Sequence, residues 1–220
     1  MRNPIPVNLV VEDHLSEAVL RAILAQMPKG YAIGTCYGHE GFGYLRKNIK
    51  AFNHAAKGMP WIVLTDLDQE ECAPVLLQKW LGNSPRHPNL LFRVAVREVE
   101  SWLLAHRAAF AEFISVKVSL LPEGTDALKD AKATLIHLVE KYSPCRDLRL
   151  DIVPPSGSSA VQGPNYSDRL AEFVLSKWDS RVAMKNSDSL RRTILALRRF
   201  IPTCAPHRQA AKRRKNAQTD

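Results

Sequence analysis

A chain of 220 residues with 45% hydrophobic side chains can bury one sizeable core, and it contains no run of ~18 apolar residues that would suit a membrane span. The formal net charge of +9 admits a polyanionic partner without requiring one. Cys36, Cys72, Cys145 and Cys204 are scattered with no CxxC spacing, which argues against a zinc ribbon or a disulfide framework.

The opening segment, MRNPIPVNLVVED, carries a short apolar run that ends in acid with no small-residue cleavage pattern after it. It reads as a strand rather than a leader, and the expectation is a cytoplasmic protein. VNLVVE (7–12) is the first strand. Leu15, Val19, Ala22 and Ile23 then recur at helical spacing, with Asp13 or Ser16 as the cap. YAIGTCYG (31–38) is the second strand. GFGYLRKNIKAFNHAAKG is the second helix, with Leu45, Ile49 and Phe52 on one side and Gly58 as its stop. WIVLTD (61–66) is the third strand, and a short helix follows Cys72. NLLFRVAVREVE is the fourth strand, closed by Glu98 and Glu100, and SWLLAHRAAFAEFI continues as helix.

This alternation predicts an α/β fold: a mainly parallel, Rossmann-like sheet with helices on both faces. Further helices are expected over 126–142, 167–179 and 187–201, with LRLDIV as the one remaining strand candidate. Residues 1–100 form the α/β core in this reading, 101–204 a mostly helical extension packed on it, and 205–220 a disordered basic tail.

The chemistry concentrates where the apolar runs stop. In open α/β sheets ligands bind beyond the carboxyl ends of the strands. Asp66 and Asp68 stand there, and on an extended chain residues two apart point the same way. Such a pair suits a hard cation such as Mg2+ or Mn2+, which takes oxygen ligands and keeps several waters. Glu70 extends the spacing, provided the chain stays extended; helix capping is the competing reading for Glu70 and Glu71. Glu12 ends strand one and shares the pocket if strands one and three are neighbours, where it can move a proton. Either Glu98 or Glu100 can add a ligand from strand four, the other pairing with an arginine.

VVEDHLSE and TDLDQEEC, each at a strand end, resemble the Toprim domain of topoisomerases, primases and overcoming-lysogeny-defect nucleases. Together with VREVESWLLAH and SDSLRRTILALRRF they resemble more closely the bacterial DUF4276 family of Toprim-like proteins, over most of residues 7–200. Asp13 stands where many Toprim proteins have glycine, and His106 replaces the acid that ends the DUF4276 segment. The resemblance implies a Mg2+- or Mn2+-dependent nuclease acting on DNA or RNA. Glu12, Asp66 and Asp68 would be catalytic, and the candidate metal ligands are Asp66 and Asp68 with Glu70 or a strand-four acid, Glu98 or Glu100. It also implies a phage-defence setting, with an ATPase or other defence-system subunit as partner; a homodimer stays open. A non-catalytic nucleic-acid-binding or structural subunit is the alternative.

Candidate nucleic-acid contacts are Arg97, Lys129, Lys132, Arg191 and Arg192, with Lys212, Arg213, Arg214 and Lys215 in the tail. Deleting residues 206–220 is expected to leave the thermal midpoint unchanged and to weaken nucleic-acid binding at low salt. Equal binding with and without the tail at every salt concentration removes it from the contact set.

Overall fold

A computed structural model describes residues 3–203. Four strands, β1 (Ile5–Val11), β2 (Tyr31–Gly38), β3 (Trp61–Asp66) and β4 (Leu90–Ala95), form one sheet in the order β2-β1-β3-β4. Every pairing is parallel, with Leu9 opposite Ile62 and Ile62 opposite Leu91. All four carboxyl ends therefore lie along one edge, which is the feature that positions the site. The three crossovers run through α1 (His14–Ala25), α2 (Gly41–Ala55) and α3 (Ala73–Leu81).

Alternate strand residues serve two cores. Val10, Val63, Leu90, Phe92 and Val94 pack with Leu45, Ile49 and Phe52 of α2 and with Leu76 and Trp80 of α3. Val7, Leu9, Ile62, Leu64 and Leu91 pack with α1 and with the second half of the chain. That half is helical: α4 (Glu100–Ala105), α5 (Arg107–Phe113), α6 (Ala131–Tyr142), α7 (Arg146–Ile152), α8 (Tyr166–Ser176), α9 (Ser180–Ala183) and α10 (Asp188–Arg199). Phe110, Leu135, Tyr166, Phe173 and Ile194 join the same apolar cluster as α1. Among the described residues no helix is long and apolar enough to cross a membrane.

Asp13 caps α1, its Oδ1 accepting from the Ser16 amide at 2.7 Å. α2 ends at Ala55 with Ala56 as its cap, two residues before the expected Gly58. LRLDIV is not a strand: it lies in α7, where the i,i+4 pair Leu148 and Ile152 is buried. The stretch from 101 onward breaks into α4 and α5 at His106, whose ψ of 60° leaves the helical region. The helix expected from 126 begins only after Asp130, whose carboxylate accepts from the Ala133 amide at 2.6 Å. The largest correction concerns β4, which stops at Ala95, short of Glu98 and Glu100. Arg97 turns the chain there with φ of 59°, and Glu100 opens α4. The expected tail, with Lys212, Arg213, Arg214 and Lys215, lies outside the described residues.

Two tryptophans join the helical layer. The fully buried Trp102 of α4 donates from its indole to Ser189 Oγ of α10 at 2.7 Å. Trp178 donates to the Trp102 carbonyl at 3.0 Å. Ser189→Ala strands a buried indole N–H and is expected to cost about 1–3 kcal/mol, and Trp102→Ala about 3–5 kcal/mol. Urea unfolding checks both, and a Trp102→Ala change within error of wild type contradicts this packing.

Candidate functional site

Adjacent parallel strands bring Glu12 beside Thr65 and Asp66. Glu12 Oε1 accepts from the Thr65 hydroxyl and, at 2.8 Å, from the Asp66 amide. Asp66 Oδ1 accepts from the Val99 amide at 3.0 Å, tying β3 to the turn before α4. Glu100, 2% exposed, accepts at Oε1 from the Tyr166 hydroxyl at 2.9 Å. Lys132 Nζ lies 3.7 Å from the same oxygen. The pattern repeats three times: one oxygen of each carboxylate is anchored, while Glu12 Oε2, Asp66 Oδ2 and Glu100 Oε2 take no hydrogen bond from the described residues.

Electrostatics follow from that crowding. Burial pushes the Asp66 carboxyl well above the usual carboxylate range, and Glu100, Glu12, Asp13 and Asp68 push it further. Burial raises Glu100 to about 7, against the pull of Lys132 and with a further push from Glu98. Glu12 is raised by burial, an effect that its bonds from Thr65 and Asp66 reduce. Asp68 is raised by burial and drawn back by Lys132. Burial alone would lower the Lys132 ammonium, but Glu100, Glu98, Asp13 and Asp66 outweigh it and raise the group instead.

The other expected residues are placed differently. Asp68 has φ of 49°, so Asp66 and Asp68 do not share an extended chain, and Asp68 reaches the surface. Glu70 pairs with Lys79 of α3 at 2.6 Å. Glu98 accepts from the Lys132 amide at 2.8 Å, so it binds the amino end of α6. Arg97 donates to the carbonyls of Asp68 at 2.8 Å and Glu70 at 3.2 Å, holding the β3–α3 loop. Arg191 and Arg192 both pair with Asp188, while Lys129 is exposed with no ion pair among the described residues. Lys132 leans over the Tyr166 ring, 5.6 Å from its centroid.

Sequence reasoning missed Tyr166 and Thr65. Tyr166 heads an amphipathic helix with Leu170 and Phe173, a pattern that gives its hydroxyl no address. Thr65 sits inside an apolar run, and only its strand neighbour reveals its role.

The donor set fits a hard cation, being all oxygen and anionic with a free oxygen on each of three carboxylates. It is nonetheless open. Among the described residues, only His14, Glu17 and His39 form a group of three or more His, Cys, Asp or Glu whose ligand atoms all lie within 4.8 Å of one another.

No family model matches the chain, and no curated protein matches it. Among solved structures, the C-terminal region of the Burkholderia pseudomallei OLD protein is similar over 87% of this chain and 96% of that one. The identity is 14% and the TM-score 0.39, and a likeness at that level carries no argument about activity. Membership of the DUF4276 family is not shown by these comparisons.

The crowded carboxylates give a pH signature. Folded Glu100 titrates at about 7 against an ordinary 4.5, so between these values the folded state holds the extra proton. Stability of the metal-free protein should therefore fall as pH rises from 4.5 through about 7, then level off. The slope from this group is at most ~1.4 kcal/mol per pH unit. Glu100→Gln removes that contribution. Urea unfolding in chelator across the window checks it, and identical slopes in wild type and variant contradict it.

Proposed function

We propose that this protein is a Mg2+- or Mn2+-dependent nuclease that hydrolyses phosphodiester bonds of DNA or RNA. The observation that carries the reading is the set of three anchored carboxylates, Glu12, Asp66 and Glu100, each with a free oxygen at the carboxyl edge of a parallel sheet. Buried like charges disfavour ionisation, and a divalent cation reverses that penalty. Asp66 and Glu100 would hold the ion, while Asp68, exposed on a left-handed backbone, stands apart from the anchored carboxylates. The wide spacing suits a cation that keeps several of its waters. When bound, the ion supplies charge stabilisation at the phosphoryl oxygens.

The chain's own groups do the rest. Glu12, raised by burial, is matched to take a proton from the attacking water. Thr65 and the Asp66 amide hold its Oε1 and so orient the free Oε2. Lys132 offers a cation beside the acids that would attract a phosphate, while Tyr166 fixes Glu100. Lys129 adds an exposed positive charge two residues before α6. Nucleic acid is the partner in this reading, and the resemblance adds a defence-system subunit such as an ATPase.

A second reading has its own observation. Lys132 and Tyr166 already compensate Glu100, as they would in a non-catalytic structural subunit. Cleavage assays on plasmid, single-stranded DNA and RNA with Mg2+ or Mn2+ separate the two. The nuclease reading predicts turnover that Asp66→Asn abolishes and that Glu12→Gln lowers by about 10²–10⁴-fold. Nucleic acid should still bind both variants. Cleavage that persists undiminished in Asp66→Asn sinks the assignment, and binding without cleavage by wild type under every metal favours the structural subunit.

A further inference from the structure

A second group of ligating side chains begins two residues after Glu12 along the chain and is chemically unlike the carboxylates. His14 and Glu17 occupy the first turn of α1 at i and i+3, on one face of the helix. His39 lies just past β2, the strand paired with β1. The two connections are sewn together by the His39 amide, which donates to the Val11 carbonyl at 3.3 Å, and by the Gly41 amide, which donates to the Glu12 carbonyl at 3.0 Å. The turn is built for this approach. Gly38 has φ of 121°, and a Cβ there would meet the Val11 carbonyl oxygen at 1.8 Å. His39 itself has φ of 68°, a region that few non-glycine residues enter.

The result is a convergence of donor atoms within 4.8 Å of one another. His39 Nε2 lies 2.6 Å from Glu17 Oε2, and the His14 and His39 rings stack with centroids 4.3 Å apart. Arg21 holds the other Glu17 oxygen, Oε1, at 2.6 Å, which leaves Oε2 to act as a single-oxygen ligand. The remaining group facing Glu17 is the partly buried Cys36 thiol. Nothing in the carboxylate chemistry requires these imidazoles, and a backbone held in a sparsely populated conformation to present one of them points to a ligand.

We propose that His14, Glu17 and His39 form a separate binding site for a zinc-class divalent ion. Two imidazole nitrogens and one carboxylate oxygen are the ligand types of borderline ions, whereas magnesium takes oxygen alone. Three protein ligands leave a fourth position for water. The ion would clamp the β2–α2 turn onto the amino end of α1, immediately beside Glu12 and Asp13. The site is independent of the nuclease reading, since none of its ligands belongs to the carboxylate cluster.

Calorimetric titration of the full chain with Zn2+ tests it, with Co2+ absorption as a report on nitrogen ligation. The variants are Asp66→Asn, His14→Ala and His39→Asn; asparagine tolerates the left-handed backbone at 39, and circular dichroism checks each fold. Wild type and Asp66→Asn should bind one equivalent with the same affinity. His14→Ala and His39→Asn should weaken binding by more than about tenfold, since even outer groups around a metal cost that much. Their Mg2+ response should match that of wild type. Zinc affinity that survives both histidine changes, or that disappears in Asp66→Asn alone, overturns the site.

Discussion

Like charges held close together out of water are the constraint around which this molecule is arranged. A parallel sheet sends every strand in one direction, so the acids that end β1 and β3 meet at one edge. Loss of solvent pushes Glu12, Asp66 and Glu100 toward the protonated form, and neighbouring acids add to it. The fold answers with donors aimed at one oxygen of each: Thr65 and the Asp66 amide, the Val99 amide, and Tyr166. These bonds fix the carboxylates without neutralising them. Lys132 is the cation set among them, and one positive charge does not balance the group.

The helical half of the chain is best understood through that edge. Glu100 begins α4, Lys132 lies in the first turn of α6, and Tyr166 begins α8. Three helix starts from the second half thus meet the strand ends of the first half at that edge. Glu98 and Asp126 serve this arrangement indirectly. Glu98 accepts from the Lys132 amide and so places α6, while Asp126 accepts from the Ser189 amide at 2.8 Å and so places α10. The two tryptophan indole bonds then lock α4 against α10 and against the segment before α9. Stability and site geometry draw on the same contacts, so a packing defect at Trp102 moves Glu100, two residues away in α4.

Strands β1, β3 and β4 were legible because each is an apolar run long enough to be buried, bounded by polar or glycine residues, while β2 is an edge strand with no fully buried residue and was legible chiefly from the glycine that ends it. The acids at their ends were legible for the same reason: a carboxylate directly after such a run has only the strand edge to occupy. What sequence could not supply was the local backbone. Left-handed φ values at Asp68 and Arg97 break the extended spacing assumed for the DxD pair and end β4 early. Arginine gives no sign of such a turn, and aspartate only a weak one. LRLDIV carries apolar residues at both period two and period four, and burial of Leu148 and Ile152 decides for the helix. Glu70 was open between a metal ligand and a helix cap, and in the fold its carboxylate pairs with Lys79 of α3. Tyr166 and the His14–His39 pair are invisible to pattern reading, because their partners are distant along the chain and only the topology brings them together.

The central claim is that the carboxylate edge is a cation site, and titration calorimetry with Mg2+ and Mn2+ on wild type and Asp66→Asn addresses it most directly. The account predicts uptake by wild type, accompanied by proton release because burial raises the carboxyls that would hold the ion, and loss of both signals in the variant. No uptake of either ion by wild type, with and without nucleic acid present, would contradict it.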